Sequence, residues 1–203
     1  NMKRTFGYCE SFNNGDTPGD ESKPLNWNTS IVNNMNYMFG IYNRLERTGC
    51  YNQPMISENV TIGGKTYTTW DTSNVTNMGV MFQHQLLFNQ DISSWDVSNV
   101  TYMKAMFFDT AFNQNISSWN VSNVTSMAQM FLQTAFNQPL NSWDVSKVTN
   151  MNAMFYETPV FNQSLNLWDV SNVTSMSGMF YGATVFNQDI SSWNTSSVTQ
   201  MDW

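Results

Sequence analysis

The sequence predicts a repeat solenoid, with one or two short parallel strands and a short helix or 3-10 turn in each 24–25-residue unit. Two observations carry this expectation. Trp27, Trp70, Trp95, Trp119, Trp143, Trp168 and Trp193 follow one another at intervals of 43, 25, 24, 24, 25 and 25 residues. Fixed columns travel with each Trp: Ser three residues on, Val five on and Met eight on, for example Ser98, Val100 and Met103 after Trp95. A unit this short cannot bury its own apolar face, so copies must stack to make a continuous core.

Within a unit the apolar spacing changes character. Val100, Met103, Met106 and Phe107 fall at the spacing of one helical face, and Ser98 or Asn99 ahead of them suits an N-cap. The rest, as in Phe88-Asn89-Gln90-Asp91-Ile92-Ser93-Ser94-Trp95, shows partial alternation with polar punctuation and suits very short strands. Met-Phe and Phe-Asn-Gln are joined by four residues at 108–111 and 132–135 but by five at 83–87, 156–160 and 181–185. A segment that absorbs one residue belongs on an outer corner.

Three regions follow. Residues 1–26 lack the motif and read as an N-terminal cap, with Phe6, Tyr8, Phe12 and Leu25 able to cover the first coil. Residues 27–69 are a first repeat with insertions, one of which (Val60 to Thr68 around Gly63-Gly64) signals a hairpin. Residues 70–203 are regular repeats, and the chain stops inside the seventh.

Charge restricts the function. Residues 71–203 hold only Lys104 and Lys147 against nine acidic side chains, a balance of 2 − 9 = −7 that matches the net charge of the chain. Nucleic-acid binding needs Lys and Arg to displace counterions, so no nucleic-acid partner is expected. Membrane insertion is not expected either, because no apolar run approaches the roughly 18–20 residues of a span. The first residues carry no apolar stretch of the kind found in a signal peptide.

Catalysis finds little material. His84 is the single histidine, and the sequence contains neither a nucleophile–base arrangement nor a phosphate-binding glycine loop. No catalytic residue, cofactor or metal is assigned. The acidic column after Trp (Asp71, Asp96, Asp144, Asp169) is interrupted by Asn28, Asn120 and Asn194 and reads as turn capping rather than a Ca²⁺ site. The Asn column of Phe-Asn-Gln reads as hydrogen bonding between coils. Cys9 and Cys50, both outside the repeat columns, are expected to form a disulfide joining the cap to the first insertion. Asn59 is the glycosylation sequon with the least structural excuse, since it stands in an insertion.

The motif residues are fixed by stacking, so contact with a partner is expected at the variable corners. The candidates there are His84, Phe108, Asp109, Tyr156, Glu157 and Tyr181.

The repeats resemble the BspA-like leucine-rich-repeat surface proteins and, more closely, a bacterial and mycoplasma repeat family with the pattern Trp-Asp-Val-Ser-Asn-Val-Thr-x-Met-x-x-Met-Phe…Phe-Asn-Gln. Residues 168–190 carry it almost letter for letter. The resemblance implies a leucine-rich-repeat-like right-handed coil in an extracellular or cell-surface protein that adheres to proteins or glycans and performs no catalysis. The alternative is a structural subunit that assembles with copies of itself into a filament, coat or surface layer.

Overall fold

The computed structural model describes residues 1–6, 25–41 and 51–202. Successive repeats lie side by side. The residue before the first Met of each unit is bridged in parallel to its counterpart in the next, from Asn34 through Asn77, Tyr102, Ser126, Asn150 and Ser175 to Gln200. Alternate backbone N–H groups then donate across the same gap. Those of Met103, Ala105, Phe107 and Asp109 reach the carbonyls of Ser126, Ala128, Met130 and Leu132 at 2.8–3.1 Å.

No helix or 3-10 turn occurs among the described residues, which corrects the expectation for the Met-x-x-Met-Phe stretch. The stretch is a chain of tight turns with a left-handed residue two and six places after the first Met. These are Ala105 and Asp109, Gln129 and Gln133, Ala153 and Glu157, and Gly178 and Gly182 in successive units, with φ between 49° and 72°. Such a residue takes the third position of a hydrogen-bonded turn at all of these places but Asp109 and Gln133, as in Met106 N–H to Met103 C=O. It stops a helix from propagating and sends every second N–H to the neighbouring coil. The same conformation limits parallel pairing to single residues. The only strands among the described residues are antiparallel: β1 (Asn59–Ile62) and β2 (Lys65–Thr68), joined through Gly63 and Gly64 at φ 60° and 75°. Positive φ at both central residues is what a two-residue hairpin turn needs, and glycine adopts it without strain.

The core is built of columns. Phe107 and Phe112 face each other within one coil at 3.9 Å between centroids, and the corresponding pairs Phe82–Phe88, Phe131–Phe136 and Phe155–Phe161 stand at 3.8–4.0 Å. Between coils the first ring of each pair follows the last at 5.7–6.1 Å. The Val, Met and aliphatic columns of these coils are fully buried around them. The Trp column is buried too, and its indole N–H is used: Trp119 donates to Ile92 C=O and Trp143 to Ile116 C=O, both at 3.1 Å. A buried indole needs that partner, which explains Trp rather than Phe at this position.

The corners take up the length difference without moving the rings. In the four-residue corner Thr110 Oγ1 donates to Phe107 C=O and accepts the Phe112 N–H. In the five-residue corners a backbone turn takes over, as in Phe161 N–H to Thr158 C=O. The ring separation is 3.9 Å in both cases.

Residues 1–6 continue the ladder. Met2, Arg4 and Phe6 donate their N–H groups to Asn34, Asn36 and Met38, and Arg4 is left-handed at φ 61° like Tyr37 at 58°. Asn1-Met2-Lys3-Arg4-Thr5-Phe6 therefore occupies the place of a preceding repeat's Met segment, aligned with Asn34-Met35-Asn36-Tyr37-Met38-Phe39. Phe6 stacks on both Trp27 and Phe39. At the other end Phe186, Ile190, Trp193 and Val198 are only half buried, and a mainly apolar groove of about 390 Å³ lies between Met176, Phe180, Trp193 and Met201.

Candidate binding flank

The polar columns between the apolar ones are spent on the stack. Asn89 Oδ1 accepts the backbone N–H of Asn113, Asn113 that of Asn137, and Asn137 that of Asn162, at 2.9–3.0 Å. A second Asn column reaches back with its amide, as Asn99 Nδ2 does to Ser73 C=O at 2.7 Å. The Asp or Asn after each Trp accepts the N–H two residues on, and Asp144 and Asn120 do so alike. Hydrogen bonds from the Ser146 side chain and backbone hold the Asp144 carboxyl below the usual carboxylate range, and Ser171 does the same for Asp169. Three of the outward columns thus have structural duties. Among the described residues no group of three His, Cys, Asp or Glu side chains is placed to hold a metal ion, and no helix is long and apolar enough to cross a membrane.

A further flank is formed by the outer side of the Met segments. Three hollows of about 520, 350 and 430 Å³ run along it. The first shares Phe108 and Gln129 with the second, and the second shares Ala153 and Tyr156 with the third, so the three form a row of adjoining hollows, a trough divided by these shared side chains. The left-handed residues Ala105, Gln129 and Ala153 are part of its lining. Aromatic rings stand on its walls. Tyr102 lies against Gly79, where a Cβ would come within 2.7 Å of the ring, and Tyr156 lies over Gly178 in the same manner at 3.3 Å. Amides fill the spaces between, including Asn36, Asn77 and Asn152. Lys104 and Asp202 are the charged residues in the lining.

The six residues expected at the contact surface divide into two columns. Phe108, Tyr156 and Tyr181 share the fifth place after the first Met of their units. Phe108 and Tyr156 are half exposed and line the trough, and Tyr181 stacks on Tyr156 at 4.7 Å. His84, Asp109 and Glu157 share the next column. Glu157 is exposed and accepts the Gln133 amide. His84 departs from the expectation of an exposed recognition residue: it is 1% exposed, with Nδ1 2.9 Å from Asp109 Oδ2 and its ring 4.7 Å from Phe108. A left-handed φ of 61° turns it into the flank, where it supports its neighbours.

A helical-face reading of the sequence does not single out Tyr102, Lys104 and Gln129. Their signal was variability between fixed methionines: the place before the first Met is Asn77, Tyr102, Ser126, Asn150, Ser175 and Gln200 in turn. Asn59 is exposed on β1, with Oδ1 accepting from Thr68 Oγ1 at 2.8 Å. Cys9 and Cys50 lie outside the described residues.

No curated protein and no solved structure matches the chain. Residues 1–55, 50–157 and 133–203 match the repeat family described as Mycoplasma protein of unknown function, DUF285, and the chain belongs to that family.

Proposed function

We propose that this protein is a non-catalytic binding scaffold of the extracellular or cell-surface kind. Its stacked repeats form a right-handed, leucine-rich-repeat-like solenoid akin to BspA-like proteins, and it adheres to a protein or glycan through the Met-segment flank. One observation carries the reading: the trough that crosses the coils is lined by half-exposed aromatic rings and amides whose replacement would leave the core columns untouched. Large rings with a polar edge give contact area at a small cost in side-chain entropy, and they are enriched in recognition surfaces for that reason.

Fluorescently labelled protein applied to intact cells and to extracellular-matrix preparations tests the reading. Bound signal should fall with Phe108→Ala and Tyr156→Ala while the melting temperature stays nearly constant. Binding that ignores both substitutions sinks the assignment of the flank.

The apolar groove between Met176, Phe180, Trp193 and Met201 favours a second reading, in which the chain is a structural subunit. A further coil, from this chain or from another copy, would cover such a groove. Analytical ultracentrifugation at micromolar concentration separates the two: ordered polymers support the subunit, a stable monomer the binding scaffold.

A further inference from the structure

We infer that the protein partner of this flank is a second copy of the chain, laid antiparallel on the first about a two-fold axis, an inference that rests on the flank being the contact surface. Linings that differ from coil to coil cannot repeat one contact, but they can complement the same irregular surface turned end for end. Eight Met segments lie along the flank, the first opened by Met2 and the eighth by Met201. Three ridges stand among the hollows. They are Tyr37, with the Arg4 guanidinium 5.6 Å from its ring centroid, then Tyr102 with Phe108, then Tyr156 stacked on Tyr181 at 4.7 Å.

A two-fold axis lying across the stack, between the segments opened by Met103 and Met127, sets the fourth segment on the fifth and the first on the eighth. Each place after the first Met then faces the same place in the other copy. Every ridge meets a depression. Tyr102 and Phe108 face Ser126 and the buried Leu132, at the hollow of about 350 Å³. Tyr156 and Tyr181 face Gln83 and Gly40, both buried, at the hollow of about 520 Å³. Tyr37 faces Gly178 in the hollow of about 430 Å³. Charge agrees with size. The net charge of −7 opposes self-association over most of the surface. On this flank the exposed Lys3 and Asp202 hold the same place in the first and eighth segments, so they meet twice in the pair. Lys104 faces the buried Ala128, and Glu157 faces His84, so no like charges are opposed. A parallel pair would instead set each segment on its own copy, ridge on ridge. An added peptide strand needs a free edge, whereas the N–H groups of Ala105, Phe107 and Asp109 already bond to the next coil.

A two-fold contact closes at two copies, which separates it from open-ended stacking through the apolar groove. Sedimentation equilibrium of the whole chain at micromolar concentration should therefore give a dimer and nothing larger. Phe108→Ala and Tyr156→Ala should each weaken it about tenfold, the scale of losing one aromatic anchor. Lys3→Glu and Asp202→Lys should each weaken it alone, and together in one chain should restore it, a recovery that a folding defect would not give. Carbodiimide coupling in a mixture of isotopically light and heavy chains should join Lys3 to Asp202 between copies, since within one chain they lie seven coil spacings, about 34 Å, apart. A dimer indifferent to these substitutions, or one in which Lys3 couples only to carboxyls other than Asp202, overturns the inference. A monomeric chain whose cell-surface binding falls in Phe108→Ala removes the second copy and leaves the flank reading standing. Dimerisation and cell-surface binding both untouched by Phe108→Ala and Tyr156→Ala remove both.

Discussion

Phe131 offers the sharpest test of how the stack is held together. Its ring is fully buried, 4.0 Å from Phe136 in its own coil and 5.8 and 5.7 Å from Phe107 and Phe155 on either side. Truncating a buried Phe to Ala costs about 3–5 kcal/mol. Each aromatic pair adds about 0.5–1.5 kcal/mol beyond area burial, so three pairs put Phe131→Ala near the top of that range. Phe131→Leu keeps most of the apolar volume and loses mainly ring geometry, and should cost about 1–2 kcal/mol. Phe180 is the internal control. It occupies the same column but is only half buried, and the coil beyond it is itself half exposed, so Phe180→Ala should cost about 2–3 kcal/mol. Urea unfolding followed by tryptophan fluorescence gives all three differences, with the m-value showing whether unfolding stays cooperative. If Phe131→Ala costs less than about 1 kcal/mol, or less than Phe180→Ala, a stack held by neighbour-to-neighbour ring contact is refuted.

Further outcomes follow from the polar columns. Trp119→Phe removes one of the two donors on the Ile92 carbonyl, which keeps the Trp95 N–H, and should cost about 0.5–1.5 kcal/mol by the same urea titration. Asn113→Ala removes the acceptor for the Asn137 N–H, a cost of about 1–2 kcal/mol, and should speed exchange of that amide proton. The carboxyls of Asp144, Asp169 and Asp189 are held below their usual range by hydrogen bonds from the Ser two residues on. Their contribution is therefore present above the unfolded carboxylate pKa of about 3.9 and is lost as pH falls through the lower folded values. Replacing all three by Asn, the residue already at 120 and 194, should flatten the fall of melting temperature in acid and leave it nearly unchanged at pH 7. For Cys9 and Cys50, intact-mass analysis after alkylation without reductant should show no label, and two labels would refute the expected bridge.

The sequence made the columns legible because stacking uses the same residue for the same purpose in each coil. Met103, Met106 and Phe107 are buried as their spacing predicts, and Asn89 and Asp96 spend their side chains on the backbone. The hairpin was legible for a different reason: Gly63-Gly64 supplies two positive φ angles that few other pairs adopt readily. The flank was legible in part. Variable length pointed to the corners, and so to Phe108 and Tyr156, whereas Tyr102 and Gln129 sit between fixed methionines and were absorbed into a helical face. The burial of His84 is not legible in the sequence, because it depends on a partner 25 residues away, Asp109, rather than on its neighbours in sequence.

The turn chain that replaces the helix was hidden by a coincidence of periods. A tight turn advances the chain by three residues and returns it to the same side, so Met103, Met106 and Phe107 face inward at the spacing a helical face would show. What separates the two is the hydrogen-bond direction. A helix closes its N–H groups on its own preceding turn, whereas here those of Met103, Ala105, Phe107 and Asp109 leave for the next coil. The cost falls on the residues that must be left-handed, and Val80 at φ 59° is a β-branched side chain in a region such residues seldom enter. The sixth unit places glycine at both of these positions, Gly178 and Gly182, and a glycine pair four residues apart argues against a helix there. The same backbone feature that obscured the fold creates the trough. Its left-handed residues Ala105, Gln129 and Ala153 are among those that line the hollows between Tyr102 and Tyr156.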